Sequence, residues 1–189
     1  PGPPIAPEGE RLDPEEGVVL ANTFYSHFVS DALARHGRLA DALRLMRESY
    51  GPMLDSGAET LWESVGPTAS LCHGFSASPT YQLTRRVLGV GPAAPGFAEA
   101  EVGPDLADLE WAEGAVPTPL GEIEARLEKT GDGFRARYRA PAGCALVPRP
   151  PPGLTLVHRA DGGRGQAEFS FERIDAATAD DRSLLDRSI

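Results

Sequence analysis

Two pairs of side chains give one stretch of this chain its chemical potential: Trp62-Glu63 and Cys72-His73, both within SGAETLWESVGPTASLCHGFSASPTYQLTRRVL, Ser56 to Leu88. A carboxyl beside an indole suits sugar chemistry, because the carboxyl acts as acid or base while the aromatic face stacks on the C–H surface of a sugar ring. The commoner arrangement for such a dipeptide is Trp in a core and Glu on a surface. His73 either hydrogen-bonds a ligand hydroxyl or packs at a helix end. The spacer Gly66-Pro67-Thr68 is turn-forming and would bring Glu63 and His73 to the rim of one pocket.

Other constellations are weaker. Cys72 with His73, and Ser26 with His27, have nucleophile-and-base residue types, but neighbours on a helix point about 100° apart, which prevents direct activation. His27, His36 and His158 lack metal spacing, and no cofactor or metal is expected. Glu59 and Glu63 would share a face if their segment were helical, an arrangement more often a solvated acidic edge than an acid-base pair. Gly89-Val90-Gly91 opens no phosphate loop, and Asp161-Gly162-Gly163 needs no more than a turn.

The elements that must position Glu63 and His73 read as helices. Residues 1–17 carry turn formers without periodicity, a lead-in loop. From Val18, Leu20, Phe24, Phe28 and Ala32 recur every four residues, flanked by Tyr25, Val29 and Leu33, the stripe of a buried helix that Gly37 ends. A second helix with Leu39, Leu43 and Met46 inward follows at once, an αα-hairpin that Gly51-Pro52 should stop. A third is expected from Ser70 to about Leu88, with Pro79 kinking it or dividing a short turn from the helix proper.

Beyond Gly91 the period becomes two. After a Pro/Gly linker at 92–96, strands are expected at Phe97–Val102, Leu109–Ala115, Ile123–Leu127, Phe134–Tyr138, Cys144–Val147, Leu154–His158 and Gln166–Arg173. Thr130-Gly131-Asp132-Gly133 closes a hairpin. Residues 92–174 thus read as a small antiparallel β-sandwich, and 175–189 as an exposed, flexible tail. The formal charge of −10 argues against nucleic-acid and anionic-membrane partners, which demand basic patches. No apolar run reaches the roughly 20 residues of a membrane-spanning helix. The chain is expected to be soluble, whether cytoplasmic or secreted. Cys72 and Cys144 are expected to be buried free thiols in different domains. The Pro-rich start suggests a piece of a longer protein.

Three ordered blocks sharpen this: GRLADALRLMRESYGPMLDSGAETLWES, SLCHGFSASPTYQLTRRVLGVGPAAPGF and LEWAEGAVPTPLGEIEARL. Their sequence resembles the C-terminal part of the bacterial α-L-rhamnosidases of glycoside hydrolase family 78, over roughly Val18 to Leu127. The resemblance implies an α+β, two-part chain. Residues 18–91 would be the last helices of an (α/α)6 barrel, and the β-sandwich would follow. It also implies inverting hydrolysis of a rhamnose-containing glycoside, with Glu63 as general base, His73 hydrogen-bonding the sugar and Trp62 as a pocket wall. The general acid would come from helices upstream. Glu59-Thr60-Leu61 and Ser64-Val65 depart from the family pattern beside the sugar pocket. On this reading the chain alone is inactive, and Phe24, Tyr25, Phe28 and Val29 need an upstream segment or an oligomeric partner to cover them. The competing readings are a non-catalytic carbohydrate-binding or partner-docking module, and another (α/α)6 exo-glycosidase or phosphorylase.

Overall fold

In a computed structural model, the structure describes residues 11–13, 18–19, 21–64, 70–131, 133–163 and 165–174. The chain divides between Leu83 and Thr84 into two compact units, one helical and one built of sheets. Two short strands, β1 (Arg11–Asp13) in the expected lead-in loop and β2 (Val18–Val19) where the helical pattern is expected to begin, pair antiparallel. No helix among the described residues is long and apolar enough to cross a membrane.

The helical unit is built on an αα-hairpin, α1 (Ser26–Arg35) and α2 (Leu39–Asp55). Both helices end on a glycine in the left-handed region, Gly37 (φ 70°) and Gly57 (φ 78°). In each case the backbone N–H one residue later reaches back to an orphan carbonyl, Arg38 to Leu33 O at 2.8 Å and Ala58 to Met53 O at 3.1 Å. This is the Schellman closure, which only a residue without Cβ adopts at no steric cost. Contrary to expectation, Pro52 lies inside α2 rather than ending it. The helix is held through its last turn by packing: Leu39, Ala42, Leu43, Met46, Tyr50 and Met53 form one buried stripe, with Met53 fully enclosed.

The stripe on α1 faces the other way from the expected one. Ser30 and Ala34 are buried, while Phe24, Tyr25, Phe28 and Val29 are exposed by 42, 59, 56 and 39%. Small residues let α1 lie close to α2, and the aromatic side is left outward. The expected third helix is fragmented. Residues 70–73 are not helical; a 3-10 turn at Gly74–Ser76 precedes α3 (Ser78–Gln82), and Pro79 starts that helix instead of kinking it. A π-helical turn, Leu83–Val87, carries the chain onward.

Among the described residues the second unit has eight strands: β3 (Val90–Pro92), β4 (Glu99–Val102), β5 (Trp111–Thr118), β6 (Gly121–Thr130), β7 (Gly133–Arg139), β8 (Ala145–Pro148), β9 (Leu154–Gly163) and β10 (Gln166–Arg173). The five-stranded sheet runs β5-β6-β7-β10-β9, all antiparallel. The three-stranded sheet, β3-β4-β8, departs from the antiparallel expectation because β4 and β8 run parallel. Part of the expected 92–96 linker is also strand, since Pro92 pairs with Ala100. Alternation turns Ile123, Ala125 and Leu127 of β6 and Phe134, Ala136 and Tyr138 of β7 into the core, with Ala125 opposite Tyr138 and Leu127 opposite Ala136, and Phe169 and Phe171 complete one core with Val90, Ala100 and Val102 of the other sheet. Gly133 is required by packing: a Cβ there would stand 2.0 Å from Phe171 O. Asp132, in the expected hairpin turn, and the expected tail at 175–189 lie outside the described residues.

Asp105 is the buried acid of this unit. Its Oδ1 accepts the Ala107 N–H at 2.8 Å, supporting a left-handed Ala107 (φ 49°), and lies 3.6 Å from Arg173 Nη2. Burial raises its pKa, against the lowering effects of that hydrogen bond and of Arg173. An acid whose folded pKa lies above its unfolded value favours folding most when protonated, and that contribution is lost as pH rises through the folded pKa. Denaturant unfolding of wild type and Asp105→Asn between about pH 4, near the ordinary Asp pKa, and neutrality should therefore show the variant gaining on the wild type as pH rises. The reverse trend would mean that Arg173 and Ala107 outweigh burial.

Candidate functional site

The residues that carry the site lie on two segments without helix or strand, 60–63 and 70–73, joined by backbone hydrogen bonds. His73 N–H donates to Leu61 O at 2.9 Å and Glu63 N–H to Ser70 O at 2.8 Å. The Thr60 hydroxyl donates to Leu71 O, and Ser70 Oγ to Cys72 O at 3.3 Å. The expected turn at Gly66-Pro67-Thr68 itself falls outside the described residues. Glu63 and His73 nonetheless stand side by side.

Glu63 Oε2 accepts the Ser70 backbone N–H at 3.3 Å and lies 3.9 Å from His73 Nδ1. Among the described residues Glu63 Oε1 takes no hydrogen bond. The carboxylate is thus held by one oxygen and open at the other, with a side-chain exposure of 43%. That geometry suits a base, which needs one oxygen fixed and one presented to the proton it removes. Trp62 is half-buried and lies between the two residues that pair with His73 and Ser70.

A third residue, invisible from spacing, anchors the arrangement. Thr23, 3% exposed, donates its hydroxyl to Glu63 O and accepts one from Ser76 Oγ at 2.9 Å. Its carbonyl accepts Ser26 Oγ at 2.8 Å and Tyr50 OH at 3.3 Å. Tyr50 OH also lies 3.5 Å from Ser78 Oγ. Thr23 therefore ties the Glu63 backbone to the start of α1, to α2 and to the turn after His73, and Tyr50 extends the network to the start of α3. Partners 40 and 53 positions apart leave no local pattern to read.

Aromatic side chains extend from the pair. The His73 ring sits 4.1 Å from that of Phe75, Phe75 meets Phe24 at 5.6 Å, and Phe24 contacts Tyr25 and Phe28 edge-on. All of these except His73 are more than a third exposed.

The remaining candidates are placed elsewhere. Cys72 is exposed, correcting the expectation of a buried thiol; Cys144 is half-buried and both are free, with burial raising the Cys144 pKa. Ser26 and His27 serve different partners, since the His27 Nδ1 faces Gln82 Nε2 at 3.3 Å. Glu59 is exposed in a non-helical bend, so it shares no helical face with Glu63. Asp161 pairs with Arg159 at 3.3 Å. A groove on the second unit is lined by charges already engaged with one another, among them Arg126 with Glu113 and Arg137 with Glu168.

Replacing Thr23 by Val keeps shape and removes the hydroxyl, leaving Glu63 O and Ser76 Oγ short of a partner. Denaturation should show a loss of about 1–3 kcal/mol for Thr23→Val, the cost of stranded buried polar groups, and much less for Thr23→Ser. A larger loss for Thr23→Ser than for Thr23→Val would place the role of Thr23 in its methyl group.

Comparison with known proteins follows the division of the chain. Residues 89–147 match the family model described as the bacterial alpha-L-rhamnosidase C-terminal domain. An alpha-L-rhamnosidase of Alteromonas sp. (strain LOR) is 30% identical over 146 residues, 68% of this chain and 16% of the relative. Among solved structures, a family 78 rhamnosidase of Bacillus sp. GL1 is 32% identical, with a TM-score of 0.65 over 74% of this chain and 16% of that one. An alpha-L-rhamnosidase from Dictyoglumus thermophilum shares the fold, with a TM-score of 0.61 at 20% identity, over 80% of this chain and 21% of that one. The chain spans about a sixth of the length of the first relatives it matches. With a rhamnosidase C-terminal domain in its second unit and family 78 likeness over most of its length, it belongs with the C-terminal portion of the α-L-rhamnosidases of glycoside hydrolase family 78.

Proposed function

We propose that this chain contributes the general base and one wall of the sugar pocket to an inverting α-L-rhamnosidase. Glu63 removes a proton from the water that attacks the anomeric carbon, while His73 and Trp62 contact the rhamnose. A carboxylic acid on another part of the enzyme protonates the leaving oxygen. Inverting enzymes hold such a pair roughly 6.5–9.5 Å apart so that the water fits between. The observation that carries the reading is the Glu63 carboxylate, held at Oε2 by Ser70 N–H and open at Oε1, beside a histidine with its ring backed by Phe75.

The hairpin of α1 and α2 fits the last helices of an (α/α)6 barrel. The outward aromatic side of α1 is the surface that the rest of such a barrel would cover, by an upstream segment or an oligomeric partner. An exposed apolar patch of this kind is unusual on a monomer. Sedimentation of the 189-residue chain should show association or aggregation; a stable monomer would count against the barrel reading.

In the enzyme that contains this chain, Glu63→Gln should lower kcat for α-L-rhamnoside hydrolysis by about two to four orders of magnitude, the usual contribution of a positioned base, with rhamnose binding retained. Unchanged turnover would end the assignment and favour a non-catalytic module. Activity on aryl glycosides that depends on phosphate would point to a phosphorylase.

A further inference from the structure

The nitrogen of His73 nearest the carboxylate has an environment that decides its protonation. Nδ1 is buried and has no hydrogen-bond partner among the described residues, although Glu63 Oε2 lies 3.9 Å away. The side chain as a whole is 32% exposed, so its exposure is carried by the rest of the ring. The His73 backbone is fixed by its own N–H on Leu61 O, and the ring packs against that of Phe75 at 4.1 Å. A lone pair on Nδ1 would face a carboxylate oxygen, two acceptors without a proton between them, and Nδ1 would stay unsatisfied. A proton there turns the same approach into a charge-assisted hydrogen bond once the groups close by about 1 Å.

We infer that His73 is a positioning residue for the base as well as a sugar contact: its Nδ1–H restrains Glu63 Oε2, and its Nε2 is therefore an acceptor that takes a hydrogen bond from a sugar hydroxyl. The inference rests on Glu63 being the base. It sets the polarity of the sugar contact, because a neutral imidazole with its proton on Nδ1 has only a lone pair to offer at Nε2. It also links the two ends of the ring. A hydroxyl donating to Nε2 draws electron density from the ring and makes Nδ1–H a stronger donor to Glu63, so an occupied sugar site tightens the restraint on Oε2 and leaves Oε1 aimed at the water. No group changes its net protonation in this step; the proton stays on Nδ1 and Glu63 remains a carboxylate until it accepts the proton from water.

Two substitutions separate the ends of the ring, used in the enzyme that contains this chain. The amide nitrogen of His73→Asn falls near Nδ1, keeping a donor for Glu63 and losing the sugar acceptor. Its KM for an aryl α-L-rhamnoside should rise about tenfold, the scale of one lost hydrogen bond to substrate, with kcat within a few-fold. The amide of His73→Gln reaches the Nε2 position and abandons Glu63, so kcat should fall by roughly 10- to 100-fold, the scale of a disturbed supporting contact, with KM little changed. If both variants change KM alone, His73 serves only the sugar and the inference is overturned. Nitrogen NMR of the wild-type enzyme with labelled histidine tests the tautomer directly and does not depend on either variant folding: Nδ1 protonated and Nε2 bare is expected, and the opposite assignment overturns the inference. Loss of hydrolysis in Glu63→Gln together with that opposite assignment would leave the base standing and remove only the role given to Nδ1.

Discussion

The Thr23 hydroxyl is the point on which the helical unit depends. It donates to the Glu63 carbonyl and accepts from Ser76, while the Thr23 carbonyl takes Ser26 and Tyr50. Each bond adds little by itself, about 0.5–1.5 kcal/mol net, but leaving any of these buried groups unpaired costs more than the bond contributes. That asymmetry makes the network specific. The segment bearing Glu63, itself neither helix nor strand, acquires a defined position because moving it would strand the hydroxyl of a residue 3% exposed. The hairpin supplies the rigid support, with both helices closed by glycines and α2 packed through Met53.

The second unit is organised by a different constraint, the alternation of side chains on paired strands. Phe169 and Phe171, both fully buried, lie at the middle of a core to which both sheets contribute. The outer face of the larger sheet carries the Arg–Glu pairs of β5, β6, β7 and β10. Exposed pairs of this kind contribute about 0–1 kcal/mol each, so they favour register and solubility more than stability. The lowered pKa values of Glu128 and Glu168, caused first by hydrogen bonds from Arg126 and Arg137, belong to this surface. The Tyr138 hydroxyl, pushed well up by burial, donates to Leu88 O at 2.7 Å inside the core.

Much of this was legible in residue types. The αα-hairpin followed from the four-residue spacing and Gly37, and β10 occupies the residues its alternation marks out. Glu63 and His73, singled out by residue type, stand 3.9 Å apart. Other features were hidden for physical reasons. An apolar stripe reveals that a helix has two faces but not which one its neighbour covers, so Phe24 and Phe28 were assigned inward while Ser30 and Ala34 occupy that place. Pro52 reads as a stop, yet burial of Tyr50 and Met53 carries the helix past it. The parallel pairing of β4 with β8 joins strands more than 40 positions apart, as Glu99 with Ala145, and leaves no local trace. Thr23 was missed for the same reason, since a threonine before a helix announces a turn and nothing about residue 63.

The proposed base is half of a catalytic pair, and the most direct observation is the other half. The crystal structure of the enzyme that contains this chain, with L-rhamnose bound, should show Glu63 Oε1 hydrogen-bonded to a water beneath the anomeric carbon. A second carboxyl should lie across the sugar at the roughly 6.5–9.5 Å separation of inverting enzymes. Glu63 facing bulk solvent, or a sugar bound with no carboxyl opposite Glu63, would contradict its assignment as the base.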